Sequence, residues 1–373
     1  MRVGIPRESK DGERRVALDP AAAAVLVGDG HEVCVENGVG AGIGASDRDY
    51  AMAGAVLVAG GDAAWQADLV VKVKEIQPGE CPKLARGSAL FSFQHLVGEP
   101  ALVRELATRG VTAIAYELVR DDRGGFPLLA PMSVIAGRLA IQVGANLLTL
   151  PAGGSGTLLA GAPGVPPARV LVLGAGHAGS NAARLAAAMD AQVTVLTRTG
   201  RTRDSARAAL GPAIRVELAT ADSIEQHALA ADLVVGAVFV PGEPTPKLLP
   251  RSLVRRMRQG SVIVDISIDA GGVAETSRAT THSDPSYVCE GLIHYCVPNM
   301  PAAVARAAAL ALSGAVLPYA RALAAKGIPR ALREDPALRA GAVIWGGRVV
   351  HEGIAREAGL PYTALSERDL AAY

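Results

Sequence analysis

Hydrophobic positions along the chain fall into short, β-branched runs separated by alanine-rich or amphipathic stretches. That alternation is what a parallel sheet covered by helices imprints on a sequence. In the first third, strands are predicted at residues 3–5, 32–35, 69–73, 89–93 and 111–116, with helices such as 20–27 and 100–109 between them. A stretch with few breakers, 133–150, reads as a long helix and is followed by a Gly/Pro-rich segment, 151–167. Further strands are predicted at 169–173, 192–196, 215–218, 233–238 and 261–268. After Pro301 the pattern is helical again and closes on 343–350 and 351–359. The fold class is α/β, with two doubly wound Rossmann-like domains. Because one such domain takes about 150 residues, the C-terminal helices are expected to return to the first domain. Residues 1–130 and 303–373 then form a discontinuous substrate domain, into which a dinucleotide-binding domain, 131–302, is inserted.

The most informative unit begins at Arg169-Val-Leu-Val-Leu173, a strand that runs directly into Gly174-Ala-Gly-His-Ala-Gly179 and a run of helix formers. Gly174 permits the tight turn, Gly176 lets backbone approach a pyrophosphate, and Gly179 lets the helix pack against the strand. His177 and Ala178 open a helix whose free N–H groups favour an anion. In the usual fingerprint an acidic residue about 20 positions on binds the ribose 2′-hydroxyl of NAD. Here the second strand ends in Thr197, Arg198, Thr199, Gly200, Arg201, Thr202 and Arg203. Hydroxyls and guanidinium groups suit a 2′-phosphate, which a carboxylate would repel. The expected cofactor is therefore NADP or NAD, with NADP favoured. The alternative is that Arg198 and Arg203 are solvated loop charges.

Composition narrows the picture mostly by exclusion. The 373 residues carry 37 basic and 36 acidic side chains, and half are hydrophobic, so the scattered charges offer no nucleic-acid footprint. No uninterrupted apolar run reaches the ~18 residues needed to span a bilayer, and the opening residues do not read as a signal peptide. Cys34, Cys81, Cys289 and Cys296 lack metal-site spacing and read as thiols of a cytoplasmic protein. No metal is expected.

Candidate chemistry lies after the strands, where open parallel sheets bind ligands. Arg15 precedes the apolar Val16-Ala-Leu18, which draws its guanidinium inward; a buried arginine needs an anion, and a substrate carboxylate fits it bidentately. Strand alternation puts Lys72 and Lys74 on one face, with Lys74 better placed for a cleft; the dull alternative is a snorkelling edge lysine. His95 ends an apolar strand and is the leading general acid/base candidate among the seven histidines. Asp265 falls within a strand, whereas Asp269 ends it before two glycines and is placed to orient a histidine or relay a proton.

These blocks together resemble the alanine dehydrogenase family, which also contains the soluble nucleotide-binding part of the proton-translocating transhydrogenase. The resemblance runs nearly end to end, through Met1-Arg-Val-Gly-Ile-Pro-Arg-Glu8, Lys72-Val-Lys-Glu75, Leu90-Phe-Ser-Phe-Gln-His-Leu96, Ala115-Tyr-Glu117, Leu128-Leu-Ala-Pro-Met-Ser133, Val264-Asp-Ile-Ser-Ile-Asp-Ala-Gly-Gly272 and Tyr295-Cys-Val-Pro-Asn-Met-Pro301. It implies reversible reductive amination of pyruvate, or a related 2-oxo acid, with ammonia and NAD(P)H. It assigns Arg15 and Lys74 to the 2-oxo acid, and His95 and Asp269 to proton transfer. Met132, Ser133, Asn299 and Met300 fall around substrate and nicotinamide, with Val238, Phe239 and Ile266 also on the coenzyme. A homo-oligomer, a hexamer by the same resemblance, is expected. The chain departs from the family at Thr197, where an aspartate is usual, at Val134, and at Ala311-Leu-Ser-Gly-Ala-Val316, which replaces a more polar segment; if that segment lines or supports the site, the accepted 2-oxo acid changes. The alternatives are a dehydrogenase of another amino acid and a non-catalytic, transhydrogenase-like nucleotide-binding subunit.

Overall fold

The computed structural model describes residues 1–60, 62–240 and 244–371. Its strands, in chain order, are β1 (Arg2–Ile5), β2 (Glu32–Glu36), β3 (Val56–Val58), β4 (Leu69–Val71), β5 (Ala89–Ser92), β6 (Thr112–Ala115), β7 (Arg169–Leu173), β8 (Gln192–Thr197), β9 (Arg215–Leu218), β10 (Leu233–Gly236), β11 (Val262–Asp265), β12 (Ser286–Cys289), β13 (Leu292–Tyr295), β14 (Ala342–Trp345) and β15 (Arg348–Val349). Two compact units result. One comprises Met1–Met132 with the C-terminal stretch from Val304, and the other Ser133–Ala303.

The first unit holds a sheet ordered β15-β14-β6-β5-β4-β1-β2-β3, parallel from β6 to β3, with β14 and β15 added antiparallel. The second holds β12-β13-β11-β10-β7-β8-β9, parallel except for β12. Each therefore contains the doubly wound Rossmann order, with a reversal of strand order beside β1 and β4 in one unit and beside β7 and β10 in the other. The strand interiors are buried on both faces. Val3, Ile5, Val70, Leu90 and Ile114 fill the first core, and Leu171, Leu173, Val234 and Ile263 the second.

Several elements differ from expectation for local reasons. The helix predicted at 133–150 spans Ala130–Leu147, with Pro131 in its first turn, where a missing N–H is tolerated. The short β3 was not anticipated; it is apolar throughout but only three residues long and is not buried. β12 and β13 were not anticipated; they are joined through Glu290 and Gly291, both at positive φ (52° and 81°), a two-residue hairpin turn with glutamate where asparagine is the usual cue. The strand predicted at 261–268 stops at Asp265, and Asp269 lies in a short 3-10 turn, Ile266–Ala270, rather than at the strand end.

The helix Ala305–Lys326 contains Pro318 and is interrupted by Arg306 and Arg321. With the turn before it, from Met300, it is nonetheless long and apolar enough to cross a membrane by length and composition alone, with mean hydropathy 1.6. Half of that window is buried within the protein, on residues including Ala308, Leu312, Val316 and Leu323. Ser313 also faces inward. Its hydroxyl donates to Asp19 Oδ1 at 2.8 Å and accepts the Asp19 N–H at 3.0 Å, latching this helix to the N-cap of Pro20–Gly28.

Candidate functional site

In the first unit the candidate residues sit on loops that leave adjacent strands. Arg15, on the loop after β1, is 2% exposed. Burial requires an anion, and the chain supplies one. Arg15 Nε donates to Glu13 Oε1 at 2.7 Å and an Nη to Glu13 Oε2 at 2.5 Å, while Nη1 lies 3.0 Å from Met132 Sδ. The anion that a buried arginine was expected to need is thus supplied along one edge by Glu13. Met132, buried at 6% exposure, lies on the other.

Lys74 follows the end of β4, and His95 follows the end of the neighbouring β5. Lys74 Nζ lies 3.5 Å from His95 Nε2. The His95 ring stacks on Phe93, centroids 5.9 Å apart, and Lys74 Nζ lies 6.0 Å from the Phe93 ring centroid. His95 is exposed, not enclosed in apolar surroundings as its strand suggested. Among the described residues four non-glycine positions have positive φ, and two of them are His95 (44°) and Asn299 (57°). A backbone held there costs about 1–3 kcal/mol and clusters at functional sites.

Lys72 is a structural residue. It is fully buried between Glu8 Oε2 at 3.3 Å and Glu80 Oε2 at 3.1 Å, and these two carboxylates hold its charge against the burial that disfavours it. Glu75 lies beside Lys74; burial raises its pKa, but the Lys10 hydrogen bond and the charges of Lys74 and His95 bring it below the usual carboxylate range. Glu8 accepts from the backbone of Val73 and Lys74, and Glu117 from that of Gln94 and His95. Glu8 and Glu13 stand in a run of loop charges, Glu8-Ser-Lys-Asp-Gly-Glu13, where nothing local marks them as partners of the backbone or of Arg15. Glu117 stands in a block quoted above, yet nothing local marks its distant partners.

In the second unit the glycine turn has the geometry its sequence implies. Gly174 has φ 101°, and a Cβ there would stand 2.4 Å from the Ala237 carbonyl oxygen. At Gly179 the added Cβ would be 1.9 Å from the Gly174 carbonyl oxygen, whereas at Gly176 it meets nothing within 4 Å. Gly176 caps the helix His177–Ala188 with no side-chain hydrogen bond, so its leading N–H groups suit a phosphate. His177 is exposed and Ala178 half-buried. This cradle fits a dinucleotide.

At the tip of β8 the picture changes. Thr197 is 3% exposed and its hydroxyl donates to the Glu217 carbonyl at 3.4 Å, so it is turned inward. Arg203 pairs with Asp204 at 2.9 Å, whereas Arg198 is exposed. Thr199 and Thr202 form the capping box of the following helix, Gly200–Leu210.

The loops after β10 and β11 are tied together by a residue the sequence did not single out. Ser267 Oγ accepts the Val238 N–H and donates to the Val238 carbonyl, both at 2.9 Å. Asp265 is buried; it accepts from the Ser267 and Val273 N–H groups and from Ser277 Oγ, and burial raises its pKa despite those donors. Asp269 and Phe239 are exposed, and Ile266, Asn299 and Ser133 are half-buried, while Met300 is buried. The structure groups Arg15, Lys74, His95 and Met132 in the first unit, and Ser133, Asp269, Asn299 and the coenzyme candidates in the second.

Two Rossmann-type sheets, one with a dinucleotide turn and the other with arginine, lysine and histidine at its strand ends, define a nucleotide-dependent oxidoreductase. Comparison with known proteins narrows this. Residues 4–136 match the model for the N-terminal domain of the alanine dehydrogenase/PNT family, and residues 140–352 match that for the C-terminal domain. The alanine dehydrogenase of Halomonas elongata is 45% identical over 97% of this chain and 98% of its own, and that of Bacillus subtilis is 42% identical over 97% and 96%. A solved L-alanine dehydrogenase superposes with a TM-score of 0.92 at 42% identity, covering 96% of this chain and 99% of its own. The transhydrogenase of Sinorhizobium meliloti reaches 0.80 at 26% identity, with 94% and 99% covered. The chain belongs to the alanine dehydrogenase/PNT family and is an oxidoreductase of the amino-acid dehydrogenase type.

Proposed function

We propose that this protein catalyses the reversible reductive amination of pyruvate to L-alanine, with NADP(H) preferred over NAD(H). The observation that carries the reading is the pairing of Lys74 Nζ with His95 Nε2 at 3.5 Å on adjacent strand ends, in the unit that also buries Arg15. In this reading Arg15 holds the 2-oxo acid carboxylate through the part of its guanidinium turned away from Glu13, with Met132 packed beside it. Lys74 donates to the substrate carbonyl oxygen and draws electron density from the carbon that ammonia attacks. The hydroxyl of the adduct takes a proton from His95 Nε2 and leaves as water, with Lys74 as the neighbouring donor in the relay. The family resemblance adds Asp269 to the residues of proton transfer.

Bound nicotinamide supplies the hydride that reduces the imine carbon. Gly174, Gly176 and Gly179, with the helix opening at His177 and Ala178, cradle the pyrophosphate. Val238 and Ile266, joined through the Ser267 bridge between their loops, with Phe239, Ser133, Asn299 and Met300, surround the nicotinamide end. Arg198 binds the 2′-phosphate, while Thr197 acts by being neither acidic nor exposed. The same reading includes a cytoplasmic homo-oligomer, a hexamer by family analogy.

The test is Lys74→Met and His95→Asn. Each is expected to retain coenzyme binding while losing pyruvate- and ammonia-dependent turnover; full turnover in either would remove that residue from the mechanism.

A further inference from the structure

Four neighbouring strand ends in the first unit carry an ordered set of side chains. Across β1, β4, β5 and β6, which are adjacent in the sheet, the loops leaving each strand supply Glu8, Lys74, His95 and Glu117 in turn. The outer strands contribute carboxylates, and the inner strands contribute the two groups that the proposed reaction uses.

The carboxylates are bonded to the backbone that carries those groups. β4 ends at Val71, and Lys72 N–H and the Val73 carbonyl still bond across to β5, to the Phe91 carbonyl at 3.1 Å and from Phe93 N–H at 3.0 Å. The Val73 and Lys74 N–H groups instead donate to Glu8 Oε1 at 2.6 Å and Glu8 Oε2 at 3.3 Å. On the other side, Gln94 N–H donates to both Glu117 oxygens at 3.1 Å, and His95 N–H donates to Glu117 Oε1 at 2.8 Å. Such charge-assisted bonds are about twice as strong as neutral ones. They hold the chain where His95 adopts φ 44°, a conformation that costs free energy unless its surroundings enforce it.

We infer that Glu8 and Glu117 are positioning residues, a pair of carboxylate clamps that set the exits of β4 and β5 and thereby hold Lys74 and His95 within 3.5 Å of each other. The inference rests on the function proposed above for Lys74 and His95. The clamps act mainly through reach, so a shorter carboxylate at Glu117 does more damage than a neutral isostere: an amide oxygen in the place of Oε1 still accepts both N–H groups, although its NH2 replaces the second acceptor of the Gln94 N–H. At Glu8 an amide does not suffice, because its NH2 end would face the Lys74 N–H and the Lys72 ammonium.

The experiment measures kcat and KM for pyruvate in the full-length protein, with coenzyme titration and thermal unfolding as checks of folding. Glu117→Gln keeps reach without charge, and Glu117→Asp keeps charge without reach. A misplacement near 1 Å costs about 100-fold in turnover, so Glu117→Asp is expected to lose about that much in kcat, while Glu117→Gln, which keeps the Oε1 acceptor and gives up the Oε2 bond, loses no more than about tenfold with an unchanged pH profile. Glu8→Asp is expected to raise KM for pyruvate through Lys74. Retention of kcat in Glu117→Asp, or a loss in Glu117→Gln as large as in Glu117→Asp, overturns the clamp. Absence of any pyruvate turnover in the wild-type protein instead overturns the underlying reading, so the two failures are distinguishable.

Discussion

Substituting alanine at Gly176 and at Gly179, separately, divides the two jobs of the glycine turn. At Gly179 an added Cβ would stand 1.9 Å from the Gly174 carbonyl oxygen, so the helix His177–Ala188 must retreat from β7 by roughly 1 Å or more before the contact is tolerable. Overpacking of this kind costs about 1–3 kcal/mol whether or not coenzyme is present. At Gly176 the added Cβ meets nothing within 4 Å and φ is −70°, so alanine fits the free protein. A weaker helix cap and a less flexible unfolded chain offset each other there, each by about 1 kcal/mol or less. The methyl group instead fills the space where the pyrophosphate would approach. Coenzyme at about 100 times its Kd stabilises a protein by about 2.7 kcal/mol. Calorimetric unfolding with and without NADPH should therefore show Gly179→Ala destabilised in both conditions. Gly176→Ala should match wild type without coenzyme and gain little with it. If Gly176→Ala keeps the full coenzyme-induced shift, or falls in the free protein as far as Gly179→Ala, the assignment of the cradle is wrong.

Arg198→Ala should weaken NADPH binding roughly 10- to 150-fold and leave NADH unchanged, the equivalent of losing charge-assisted hydrogen bonds worth about 1.5–3 kcal/mol; an unchanged ratio in low-salt fluorescence titrations would show that Arg198 does not read the 2′-phosphate. Ser313→Ala removes both bonds to Asp19 and should lower stability by about 1–3 kcal/mol without changing the preferred 2-oxo acid; a changed preference would tie that helix to substrate choice. His294 is fully buried between Thr276 and the Leu292 carbonyl, and burial holds its pKa below the ordinary 6.5. The unfolded chain therefore binds a proton first as pH falls. The contribution is complete above 6.5 and is lost on descending from there toward the folded pKa. Unfolding midpoints measured between about pH 7 and pH 5 should fall less steeply in His294→Gln than in wild type; equal slopes would contradict the assignment.

How much was legible depended on whether the information was local. The glycine turn was readable because Gly174 and Gly179 answer to backbone close by in the chain or beside the adjoining strand, and the buried strands were readable from their apolar runs. Alternation put Lys72 and Lys74 on one face, but β4 ends at Val71 and the two side chains have different fates, one buried between Glu8 and Glu80 and the other beside His95. Glu8 and Glu117 left no local mark because the N–H groups they accept are more than twenty residues away. Arg15 was rightly expected to be buried, but its partner Glu13, two residues earlier, was missed because a run of loop charges looks solvated. Thr197 was noticed for the acid it replaces, and its inward hydroxyl became visible only with β9 beside it.

The most direct measurement supplies the purified protein with NADPH or NADH, ammonia and, in turn, pyruvate, glyoxylate, 2-oxobutyrate and bulkier 2-oxo acids, and follows the loss of reduced-nicotinamide absorbance. Ammonia-dependent oxidation that is fastest with pyruvate and favours NADPH is the predicted result. No oxidation with any 2-oxo acid, or hydride passed only to a second nucleotide, would contradict it.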